Sequence, residues 1–91
     1  MDVAFIIHSI YTTLMGRAKE EPLYNRIEAA RLAQGLTRQA LAEAVGVHYQ
    51  TIGYLERGEY SPSLSLALRL AEALSLGVQD LFSTRPFDQE R

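Results

Sequence analysis

Residues 46–58, GVHYQTIGYLERG, place an amide, two phenols and a guanidinium on one short segment: Gln50, Tyr49, Tyr54 and Arg57. An amide carries donors and an acceptor side by side. A phenol adds one hydroxyl to an apolar ring edge, and a guanidinium presents five donors in a fixed fork. Groups of this kind recognise hydrogen-bonding edges rather than break bonds. The rest of the chain offers no Gly-rich phosphate loop, no motif of paired catalytic carboxylates and no nucleophile–base set. The two histidines, His8 and His48, are far apart without ligand spacing, and there are no cysteines, which excludes thiolate metal sites and disulfides. The expectation is a binding protein, not an enzyme, with no cofactor, no metal and no evident small-molecule ligand.

The elements that carry these side chains follow from periodicity. At about 100° per residue, Ile52, Leu55 and Glu56 share one sector of a helix running from about His48 to Arg57, with His48 at its start. Gln50, Gly53, Tyr54 and Arg57 fall on the opposite side, and Tyr49 and Thr51 lie on the flanks. A helix anchored by two apolar residues presents most of its circumference outward, which suits insertion into a groove. Gly53 lies in that outward face, where a missing side chain would allow close approach of a ligand.

Upstream, Leu23, Ile27, Ala30 and Ala33 mark a first helix from Leu23 to Gln34, ended by Gly35. Thr37 caps a second, 38–45, with Leu41, Ala42 and Val45 inward and Gly46 as its stop. About three residues then form the turn to the next helix, and a glycine-containing tight turn between two short helices is the helix-turn-helix signature. Ser61-Pro62-Ser63 opens a fourth helix with Leu64, Ala67, Leu70, Ala71 and Leu74 on one stripe, and Val78 to Phe82 makes a fifth of about one turn. No credible strand pair is visible in this region, so the fold class is all-α.

At 91 residues and 47% apolar content, the chain suits one small globular domain. A net charge of −2 argues against a general basic coat, while allowing a local basic face. The apolar head is too short to span a bilayer, which needs about 20 residues, and Asp2 stands where a secretory signal would be positive. A soluble, cytoplasmic protein without membrane contact is expected. Three segments are expected: 1–22 as apolar extension and linker, 23–82 as the folded unit, and 83–91 as a flexible tail. In the head, Val3, Ile7, Ile10 and Leu14 fit a helical stripe, while Phe5-Ile-Ile and Ile10-Tyr-Thr-Thr have strand propensity. A helix is favoured and a strand is the alternative. Met15 offers a second candidate translation start.

The combination LT…LAEAVGV…QTI…LERG…PSL over residues 36–64 resembles the helix-turn-helix of the Cro / lambda-repressor-like regulators, the XRE family. The similarity runs from about Asn25 to Phe82. It implies a compact five-helix domain, sequence-specific binding of double-stranded DNA, regulation of transcription by repression or autoregulation, and dimers on palindromic operators. An antitoxin or restriction-modification controller role would use the same domain. A protein-interaction module working through the head or the last two helices is the alternative from another class.

The resemblance also implies roles. Gln50 would read a base, and an amide pairs bidentately with adenine for about 1–3 kcal/mol of discrimination. Tyr49 and Tyr54 occupy positions where relatives carry base- or sugar-contacting groups. Thr37, Arg38, His48, Thr51 and Arg57 are phosphate candidates. Arg38 replaces the usual glutamine, and a cation in a first helical turn is disfavoured until a phosphate approaches. His48 replaces the usual Ser or Thr and is a poorer N-cap than either. Arg31 and Glu56 correspond to an ion pair that would seat the third helix. Ser75 stands where an αL glycine is usual, and Gly77 where Ser or Thr caps the last helix. Leu66 and Leu68, with Leu76, Val78, Leu81 and Phe82, exceed what one small core needs, and the family often dimerises near there.

Overall fold

The computed structural model describes residues 3, 4, 6, 7 and 22–87. Within 22–87 the order is β1 (Tyr24–Asn25), α1 (Ile27–Ala33), α2 (Arg38–Val45), α3 (Tyr49–Glu56), α4 (Leu64–Ala73), α5 (Val78–Leu81) and β2 (Phe82–Ser83). Five helices enclose a core whose fully buried side chains include Ile27, Leu41, Val45, Ile52, Leu55, Leu70, Leu74 and Leu81.

Local chemistry sets the helix limits. Thr37 Oγ1 accepts from Ala40 N at 2.9 Å and starts α2. Gly46, in the left-handed region at φ 78°, ends it, and its N–H donates to Ala42 O. A Cβ would strain that backbone, so glycine is what lets the chain reverse within three residues. Ser63 Oγ accepts from Leu66 N at 3.1 Å and starts α4. Ser75 ends that helix in the left-handed region at φ 57° without glycine's freedom. Gly77, the N-cap of α5, gives no side-chain hydrogen bond.

Three expectations change. First, a strand pair exists: β1 and β2 are antiparallel, with Tyr24 opposite Ser83 and Asn25 opposite Phe82. Two residues per strand are too few to show a period-2 pattern, and the pairing forms only when the bundle brings these segments together. The boundary drawn at 82 falls inside this ladder. Second, α1 begins at Ile27, not Leu23. The Asn25 side chain accepts from Ile27 N at 2.9 Å and turns the chain out of β1 there. Third, Leu64 is 72% exposed rather than inward, because it is the first residue of α4 and projects beyond the packed stripe.

Of the surplus apolar residues, Leu66 and Leu81 are core, whereas Leu68 and Leu76 are exposed. In the head, Val3, Ala4, Ile6 and Ile7 are helical and exposed. Ile10, Leu14 and the candidate start at Met15 lie outside the described residues. Arg26 stacks its guanidinium on Phe87, 4.1 Å from the ring centre.

Candidate nucleic-acid interface

Helix α3 is held down by a few strong contacts. Ile52 and Leu55 are buried. Glu56 follows them with a carboxylate only 2% exposed, which accepts from Arg31 Nε at 2.7 Å and from Arg38 Nε at 2.9 Å. Arg31, itself 8% exposed at the side chain, also donates through Nη1 to Leu36 O at 2.9 Å. One carboxylate thus joins α1, α2 and α3. Asn25 Nδ2 donates to Leu55 O at 2.9 Å and ties β1 to the end of α3. The seat is polar as well as apolar, and its charges are paired, as buried charges must be.

Arg38 sits in the first turn of α2, and Glu56 supplies the negative charge that offsets its unfavourable place there. Its side chain is still 44% exposed, with Glu28 a further 4.0 Å neighbour, so N–H groups remain to face an incoming anion. His48 acts as the N-cap of α3: Nδ1 accepts from Gln50 N at 3.1 Å. That bond assigns the ring proton to Nε2, which leaves a donor pointing away from the helix. The imidazole stacks on Tyr49, with ring centres 4.7 Å apart. Thr37 uses an oxygen lone pair for its cap, and its hydroxyl hydrogen can still donate. Thr51 is half-buried on the flank.

The outward face is a shallow concavity of about 250 Å³ lined by Arg38, Tyr49, Gln50, Gly53, Tyr54 and Arg57. The four recognition side chains singled out in the sequence therefore converge on one surface, with Arg38 at its edge. Beside it, Thr51, Tyr54, Glu59 and Tyr60 border a second hollow of about 440 Å³.

Gly53 differs from expectation. It is buried, not open, because the Arg57 side chain reaches back over it. A Cβ at Gly53 would lie 3.2 Å from Arg57 Nη1. The guanidinium also lies 5.3 Å from the Tyr54 ring centre. Glu59 takes one edge of it, with Nε–Oε2 at 3.1 Å and Nη2–Oε1 at 3.3 Å. The hydrogen bond to Glu59 raises the Arg57 pKa further above its ordinary value.

Asn25 and Glu59 were not singled out from the sequence. Asn25 falls inside the helix expected from Leu23, so its place two residues before the true helix start at Ile27 carries no signal there, whereas Glu59 is legible as an acid two positions beyond Arg57. Among the described residues no group of three or more His, Asp or Glu is placed to hold a metal ion, and no helix is long and apolar enough to cross a membrane.

Residues 27–81 match the helix-turn-helix family HTH_3. The chain belongs to that family. Two proteins described as uncharacterized HTH-type transcriptional regulators are similar to this helix-turn-helix chain. One, from Archaeoglobus fulgidus, is 43% identical over 71% of this chain and 89% of its own length. The other, from Methanothermobacter thermautotrophicus, is 53% identical over 62% of this chain and 83% of its own. Among solved structures, the restriction-modification controller protein C.AhdI from Aeromonas hydrophila matches with a TM-score of 0.58 and 34% identity, covering 60% of this chain and 83% of that one. The helix-turn-helix of this family corresponds here to α2 and α3, the pair joined through Gly46.

Proposed function

We propose that this chain is a sequence-specific, DNA-binding transcriptional regulator that lays α3 in the major groove, acts in the cytoplasm and performs no catalysis. One observation carries the reading. An eight-residue helix is fixed from beneath by Ile52, Leu55 and Glu56, while Tyr49, Gln50, Tyr54 and Arg57 share its free face. A major groove about 12 Å wide admits such a helix and offers it a distinct donor–acceptor pattern at every base pair. Gln50 reads adenine, and Tyr49 and Tyr54 touch base edges or thymine methyls. Thr37, Arg38, His48 and Thr51 surround this face and hold phosphates, which fixes register without reading sequence.

Binding is as a homodimer on a palindrome, with half-sites about one helical turn apart. Leu64, Leu68 and Leu76, all exposed, supply apolar area for the second copy. The regulator represses, or controls its own expression. The likeness to C.AhdI favours a controller role as the specific form of that regulation.

A random-library binding selection followed by anisotropy titration tests this. Wild type enriches a palindromic motif, and its affinity falls steeply with salt as bound phosphates displace counterions. Gln50→Ala lowers discrimination at one position per half-site. Arg38→Gln, which keeps a donor for Glu56, weakens all sequences alike. Failure to enrich any motif refutes the reading.

A further inference from the structure

We infer that Arg57 is a specificity-determining residue that reads a guanine, with Gly53 as its seat and Glu59 as its orienting partner. The inference rests on the DNA-binding reading and replaces the phosphate contact expected for Arg57 from the sequence.

Arg57 caps the C-terminal end of α3, which is ordinarily the end farther from base edges. Its side chain cancels that disadvantage by running back along the helix, the direction helical side chains favour. The guanidinium comes to rest over Gly53, one turn nearer the N-terminus, in the concavity it shares with Gln50. Any residue other than glycine would put a Cβ 3.2 Å from Nη1, tighter than ordinary contact. Glycine is a poor helix former, and the bay it leaves accounts for its use in mid-helix.

The hydrogen-bonding edges then sort themselves. Glu59 engages the Nε/Nη2 edge of the fork. The Nη1 hydrogens and the outer Nη2 hydrogen stay uncommitted to Glu59. They form the end-on pair that matches O6 and N7 of guanine, the commonest specific contact of arginine. The Tyr54 ring beside the guanidinium restricts its remaining freedom. A phosphate could take that end-on pair as well; what favours a base edge is that the guanidinium lies in the concavity it shares with Gln50, the base-reading candidate. A planar guanidinium held by one edge is prepared for a planar partner.

The experiment is a random-library selection with wild type, Arg57→Met, Gly53→Ala and Glu59→Gln, each checked by thermal melting, followed by anisotropy across single-base variants of the selected site. The expected result is a G·C pair in each half-site that Arg57→Met ceases to prefer, a loss of roughly ten- to hundredfold in discrimination. The other positions stay unchanged. Gly53→Ala melts no lower than wild type yet loses preference at the same pair. Glu59→Gln relaxes that pair several-fold while binding to unrelated DNA tightens. Uniform weakening by Arg57→Met, which removes the charge, over all sequences, with the salt slope reduced by about one and no position-specific loss, identifies a phosphate ligand and overturns the inference. An unchanged guanine preference in Gly53→Ala overturns the seat. A wild type that selects no motif refutes the DNA-binding reading itself, an outcome distinct from both.

Discussion

Removing the Glu56 carboxylate should cost this domain a large part of its stability. In Glu56→Ala, Arg31 loses its 2.7 Å partner while its side chain stays only 8% exposed. What remains to it is Leu36 O at 2.9 Å and Glu28 at 4.0 Å, and Glu28 is too exposed to compensate. Arg38 loses its 2.9 Å partner too, but is open enough to turn to water. The penalty is therefore that of one stranded buried cation, about 3–5 kcal/mol. Against a total of about 5–15 kcal/mol for a small protein, about a fifth or more disappears. Urea unfolding followed by circular dichroism reads this directly, as a midpoint shift of about 2–3 M if the slope is about 1.5 kcal/mol/M. Arg31→Ala strands the carboxylate less completely, because Arg38 still holds it, and should cost less than Glu56→Ala. The double variant Arg31→Met/Glu56→Leu should recover most of the loss, since an apolar pair of similar volume often equals a buried ion pair. A cycle closed with the single variants Arg31→Met and Glu56→Leu should show a coupling of about 2–3 kcal/mol. Single-variant costs below about 1 kcal/mol, the value of a solvent-screened surface pair, would refute the idea of a buried charge hub.

Ser75→Gly relieves a left-handed serine at φ 57°. It should stabilise by about 0.5–1 kcal/mol after the added chain entropy of glycine, and raise the melting temperature by a few degrees. Thr37→Ala removes the cap on Ala40 N and should cost about 1 kcal/mol in urea unfolding. Asn25→Ala leaves Leu55 O and Ile27 N without their side-chain partner. It should cost about 1–3 kcal/mol, and speed amide exchange at Ile27 more than in α4.

The parts of this molecule that could be read in advance are those fixed by neighbours in sequence. Thr37 and Gly46 bound α2 by local hydrogen bonds and backbone conformation, and the spacing of Ile52 and Leu55 alone orients α3. The left-handed turn at Ser75 is expected only through the family resemblance, because serine itself does not signal that conformation. What escaped depends on chain segments that meet only after folding. Asn25 reaches Leu55 across 30 residues and Gln34 Nε2 reaches Leu74 O across 40. The two-residue ladder between β1 and β2 is held by the helices it closes, not by any strand pattern of its own. The candidate site divides the same way. Periodicity put Gln50 and Tyr54 outward, but a helical wheel has no side-chain reach. It could not show Arg57 lying over Gly53, or Glu56 answering two arginines at once.

The pairing of Asn25 with Phe82, backed by Arg26 N donating to Leu81 O at 2.9 Å, has a topological consequence. Residues 24 and 83 meet at one corner, so the chain between them is a nearly closed loop. Such a unit can be spliced into a surface loop of a host protein, or circularly permuted by bridging that corner and opening the exposed stretch between α3 and α4. In either arrangement the pieces that clasp α3 travel together.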